Sequence, residues 1–195
     1  MIFRRIDDNG LPPIFALVIG IDEYPSAPNH EKLTYAVSDA DRFQGFLTDT
    51  LKVPHDRIIS LRDKDATRAR IVAAFEQLST DPRIPKNEAA VIIYFAGHGT
   101  RDEKPKEWID WHTPDGNIEE MCPSDIGAQV SNSKELTPGI PDRTISRLLN
   151  RMAKAKGDNI VRSRPFHATR LVFTDFGRSD VGFRLLLFKQ HEQAC

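Results

Sequence analysis

At 195 residues and 22.1 kDa, with 39% hydrophobic and 28% charged residues, the chain has the size and composition of one globular domain with a buried core. A formal net charge of −1 offers no polycationic surface for nucleic acid or for a membrane. Its two cysteines, Cys122 and Cys195, cannot build a disulfide framework and fit a reducing compartment. The longest apolar run, Ile14 to Ile21, falls far short of the roughly 20 residues a membrane span needs. Arg4–Arg5 is followed at once by Asp7 and Asp8, which spoils a signal-peptide reading. These features predict an intracellular, cytoplasmic protein.

The charge is unevenly spread. Residues 1–142 hold 16 Lys/Arg against 24 Asp/Glu, whereas residues 143–189 hold 11 against 3. Two solvated faces explain this, and so does an acidic body suited to a basic ligand. No aromatic residues interleave the basic ones in a nucleic-acid-binding pattern.

In chain order, Ile14–Gly20 reads as a strand buried on both faces. A Pro-rich loop leads to a helical pattern with Ala36, Val37, Ala40, Phe43, Leu47 and Leu51 on one side. Ile58–Leu61 is a second strand. Thr67 is a candidate N-cap for a helix burying Ile71, Ala74, Phe75 and Leu78. Ala90–Phe95 is a third buried strand, and Gly97-His98-Gly99 follows it. Strands alternating with amphipathic helices predict βαβ units and a mostly parallel sheet covered on both faces. Residues 100–141 read as polar loop, with Met121–Cys122 as a short edge strand. Pro141-Asp142 opens a helix with Ile145, Leu148, Leu149 and Met152 as its stripe and Gly157 as its stop. Beyond Ile160, Leu171–Asp175 and Phe183–Phe188 are strand candidates without a clean context.

Parallel α/β sheets bind ligands at the carboxyl ends of their strands, which is where His98 falls. An imidazole there can serve as general acid or base, its ordinary pKa of about 6.5 lying near working pH. Gly97 and Gly99 permit unusual backbone angles and close approach of a ligand. The Gly99 amide can act as an oxyanion donor. A turn histidine that merely satisfies local backbone groups is the competing reading. The other five histidines show no metal-ligand spacing and receive no role. Cys122 reads as a half-buried packing residue.

The segments Phe15-Ala-Leu-Val-Ile-Gly-Ile-Asp-Glu-Tyr24, Leu33-Thr-Tyr-Ala-Val-Ser-Asp39-Ala, Ala66-Thr67-Arg-Ala-Arg-Ile71 and Tyr94-Phe-Ala-Gly-His-Gly99, in this order, resemble the caspase and metacaspase cysteine peptidases. Cys122-Pro-Ser-Asp125 and the helix at 142–155 also fall where that family has them. The resemblance spans roughly residues 12–160. It implies a caspase-like three-layer α/β/α sandwich, an α/β fold with a mostly parallel central sheet and an incomplete C-terminal part. It further implies His98 as the catalytic histidine, Gly99 as an oxyanion donor, and Asp39 as a carboxylate of the pocket for substrate Arg or Lys. Asp39 also reads as an ordinary acidic residue at a helix N-terminus. No cofactor is required, and calcium is suggested by the resemblance alone. The expected partners are a peptide or protein with basic residues and a caspase-like relative, with no nucleic acid and no membrane.

The departure from the family lies after Ile160. The family's nucleophilic cysteine stands at the end of the fourth strand, whereas this chain has Gly157-Asp-Asn-Ile160 and then no cysteine until Cys195. Either Leu171–Asp175 is a decayed fourth strand with Gly177 in the nucleophile's place, or the tail is foreign sequence from a mis-spliced or frame-shifted message. The expected organisation is therefore an N-terminal segment (1–13), a histidine-bearing caspase-like domain (14–160) and an atypical tail (161–195). Two functions remain open: a cysteine endopeptidase acting after Arg or Lys, and a catalytically inactive caspase-like module that binds.

Overall fold

A computed structural model describes residues 13–162 except residue 114; at 161 and 162 it describes the backbone alone. Its centre is a four-stranded sheet in the order β2-β1-β3-β7, with β1 at Ile14–Gly20, β2 at Ile58–Arg62, β3 at Ala90–Ala96 and β7 at Ile160–Arg162. All three pairings are parallel. The registers Gly20↔Arg62 and Gly20↔Ala96 bring the carboxyl ends of β1, β2 and β3 to one edge.

Side chains of a strand alternate between faces, and here each face receives its own helices. Ile14, Ala16 and Val18 of β1 and Ile92, Tyr94 and Ala96 of β3 pack with Ala36, Ala40, Phe43 and Leu47. These last four come from helix α1 (Ala36–Gly45) and the single wide turn, Phe46–Thr50, that continues it. Phe15, Leu17, Ile19, Val91, Ile93 and Phe95 face the other way. They meet Ile71, Ala74, Phe75 and Leu78 of α2 (Arg68–Thr80) and Leu148 and Met152 of α3 (Asp142–Lys156). The result is the three-layer α/β/α arrangement expected from the sequence. Thr67 caps α2 as its position suggested, its hydroxyl accepting from the Arg70 amide at 3.3 Å. α3 stops at Gly157, where φ is +92°.

Residues 100–141 depart from expectation. They hold most of a second, antiparallel sheet of β4 (Gly99–Glu103), β5 (Asn117–Met121) and β6 (Ile140–Pro141) in the order β4-β5-β6. The strand ending at Met121 is therefore central in its sheet, and Cys122 lies just beyond it. Polar sequences such as Gly99-Thr-Arg-Asp-Glu103 carry no apolar alternation because this sheet is largely exposed on β4.

The position beside β3 is filled by Ile160–Arg162, paired from Val91↔Ile160 to Ile93↔Arg162. Leu171–Asp175, Gly177, Phe183–Phe188 and Cys195 lie outside the described residues. Among the described residues, no helix is long and apolar enough to cross a membrane.

Candidate functional site

His98 stands two residues beyond β3, at the carboxyl edge of the parallel sheet and the root of the antiparallel one. Its amide donates to the Tyr24 hydroxyl at 2.7 Å, and its Nε2 lies 2.7 Å from the Glu31 carbonyl oxygen. A carbonyl only accepts, so Nε2 carries the proton and Nδ1 is left as the basic nitrogen. The loop between β1 and α1 thus grips this residue by backbone and by ring. Burial pushes the Tyr24 phenol upward, so it stays protonated; it donates to the Ile21 carbonyl at 3.4 Å while accepting from His98.

Gly97 and Gly99 do not use the unusual backbone angles that glycine permits. Neither has a positive φ. A Cβ on Gly97 would lie 2.7 Å from the Tyr24 hydroxyl oxygen and 2.8 Å from Phe95 Cζ, so it is space that excludes a side chain. Gly99 faces Met121 across the β4–β5 ladder. The adjacent pair is bonded, Cys122 N–H to His98 O at 3.1 Å, so strand alternation directs the Gly99 N–H away from β5.

Asp39 lies in the first turn of α1 with its side chain only 18% exposed, 3.1 Å from Arg42 Nη1. It sits near Tyr94, whose phenol is pushed up to about 12 by burial and then by the Asp39 charge. Asp39 does not cap the helix. That role belongs to Asp22, whose Oδ1 accepts from the amides of Ala36 at 2.8 Å and Val37 at 3.3 Å. A cap 14 residues upstream leaves no local N-cap signature.

The structure also brings in a histidine that the sequence left without a role. The His30 ring lies 5.4 Å from that of His98 and 5.6 Å from that of Tyr24, and its Nε2 is 3.4 Å from Cys122 Sγ. Burial first, and the neighbouring His98 second, lower its pKa. Its Nδ1 is buried and has no hydrogen-bond partner among the described residues. Nothing in the polar, aperiodic loop around Asn29-His30-Glu31 announces this, because the contact is made in space by a loop folding back.

Cys122 is fully buried, where half-burial was expected, because its strand is central and its side chain joins the larger core. Burial, and then the Glu120 charge, push its thiol up to about 12. An unfolded thiol ionises near 8.5. The folded state's preference for the protonated thiol is therefore complete below that value and is lost as pH rises toward 12. Between about pH 8.5 and 10, stability should fall by up to about 1.4 kcal/mol per pH unit. Urea titrations across that window check this, with Cys122→Ala expected to flatten the slope.

Among the described residues, no cluster of three or more His, Cys, Asp or Glu side chains is placed to hold a metal ion.

A parallel sheet between two helical layers, with a gripped imidazole at its carboxyl edge, defines an α/β/α domain with a histidine where such sheets bind their ligands. The chain belongs to the caspase-domain family, whose sequence model matches residues 14–160. In fold it is similar to the crystal structure of protein GSU0716 from Geobacter sulfurreducens, with a TM-score of 0.53 at 20% identity. That match covers 77% of this chain, which spans about half (48%) of the other. No curated protein matches the sequence.

Proposed function

We propose that this chain is a metacaspase-like, catalytically inactive relative of the cysteine endopeptidases that binds peptides carrying Arg or Lys. The carrying observation is the state of Cys122. It is the one cysteine among the described residues, fully buried, with its thiol held protonated and beside His30. Covalent peptide hydrolysis needs a thiolate open to the scissile carbonyl, and Cys122, although 3.4 Å from His30 Nε2, is fully buried and held protonated. Asp39 supports the choice of ligand, since a largely buried carboxylate favours a guanidinium or ammonium partner. In this reading Arg42, exposed and only bridged to Asp39, yields its place to the ligand. His98 and the Gly99 amide serve as hydrogen-bonding groups for the peptide backbone.

A second reading, active endopeptidase, is favoured by the family match and by the retained His98. There Nδ1 of His98 would be the base and the Gly99 amide would stabilise the oxyanion. Labelled peptides with Arg, Lys or Asp as the last residue before a reporter group decide between the two. Binding of the Arg and Lys peptides without turnover is the expected result. Asp39→Ala should weaken it about tenfold, and the loss should shrink with added salt. Equal binding of acidic and basic peptides defeats the pocket assignment. Cleavage that disappears in His98→Ala defeats the inactive reading.

A further inference from the structure

Asp63 follows β2 with a backbone at positive φ, +36°, a region that aspartate and asparagine enter more readily than other non-glycine residues. The β1–β2 ladder ends at Gly20↔Arg62, so Asp63 stands just past the last pair. Its Oδ1 accepts from the amide of Asp22 at 2.7 Å and from that of Glu23 at 3.1 Å. One side-chain oxygen thus satisfies two consecutive amides just past the end of the ladder.

Asp22 is then the node of everything around His98. Its carbonyl accepts from the Leu33 amide at 2.9 Å, which closes the loop from Glu23 to Lys32 into a ring that begins and ends on Asp22. Its carboxylate caps α1 and so sets the turn that bears Asp39. The closed loop carries Tyr24, which accepts from the His98 amide, and Glu31, which holds His98 Nε2.

We propose that Asp63 is a positioning residue of the site: by clamping the Asp22 and Glu23 amides it holds, at once, the loop that grips His98 and the helix that bears Asp39. Its effect on ligand affinity rests on the peptide-binding reading above, but its effect on the imidazole does not. Two substitutions separate the clamp from the backbone strain. In Asp63→Gly the left-handed backbone is relaxed and the acceptor is gone. In Asp63→Asn the amide oxygen can still accept, and asparagine tolerates the same backbone region.

The test is a nitrogen-15 NMR spectrum of the histidine rings in the peptide-free chain, together with titration of a labelled Arg peptide. The parent chain and Asp63→Asn should both show His98 as the Nε2-protonated tautomer. Asp63→Gly should lose that pattern to mixed tautomers, and its peptide affinity should fall about tenfold. An Asp63→Gly protein with an unchanged His98 pattern overturns the proposal. So does an Asp63→Asn protein as disturbed as Asp63→Gly. If the parent chain binds no peptide, the binding reading fails while the ring spectrum still judges Asp63.

Discussion

Gly20→Val is expected to lose both stability and peptide binding. A Cβ at this position would lie 2.6 Å from Ala40 Cβ, 2.9 Å from the Ala36 carbonyl oxygen and 3.0 Å from Val37 Cα. Two of these three atoms are helix backbone, so the strain cannot be relieved by a side-chain rotation, and α1 must move off the sheet. Overpacking of this kind typically costs about 1–3 kcal/mol, and backbone contacts place it at the upper end. Against a usual total of about 5–15 kcal/mol, that is a large share. Because Gly20 is two residues from Asp22, the displaced helix also leaves its cap and carries Asp39 away. A urea midpoint and an Arg-peptide affinity both equal to the parent's would show that α1 does not bear on Gly20.

Phe75→Ala should destabilise as much or more, yet leave α1 and Asp39 in place. Phe75 is fully buried in the core that α2 and α3 build on the opposite face of the sheet. Deleting a buried phenyl ring removes its transfer free energy and leaves a cavity, together about 3–5 kcal/mol. Its core holds no residue of α1, which packs on the other face, although Tyr24 and Ala27 of the loop that grips His98 share that core. Under conditions where the variant remains folded, its peptide affinity should fall less than that of Gly20→Val, because α1 and Asp39 stay in place, while its urea midpoint falls well below the parent's. Equal losses of affinity in Phe75→Ala and Gly20→Val would mean that the two cores are one cooperative support for the site.

This pair of substitutions rests on a division that the sequence already carried. The unbroken apolar run at Ile14–Gly20 announced a strand covered on both sides, and the two helical stripes announced what would cover it. Thr67 was legible as a cap because it bonds locally, three residues on. Asp22 was not, because its helix begins after a long loop. His30, Glu31 and Asp63 escaped notice for the same reason: each acts through a contact between segments distant in sequence, which no local period records. The antiparallel sheet was missed because β4 is exposed and charged, and because Pro105, Pro114, Pro123 and Pro138 break the segment as loops do. The imidazole at the end of β3 is legible from its strand-end position together with the resemblance to the caspase family. The grip upon it had to be seen in space.

The strand order has a consequence for how the chain is made. β1, the first strand of the described residues in chain order, is interior to the sheet, and Ile14 finds one of its neighbours only at Ala90. Until β3 has been synthesised, the run Phe15-Ala-Leu-Val-Ile19 has at most one edge paired, by β2. Loop closure over such separations is slow, and an apolar strand with a free edge is open to pairing with another nascent chain. Slower elongation between β2 and β3 should increase the insoluble fraction, and a chaperone that shields extended apolar segments should reduce it.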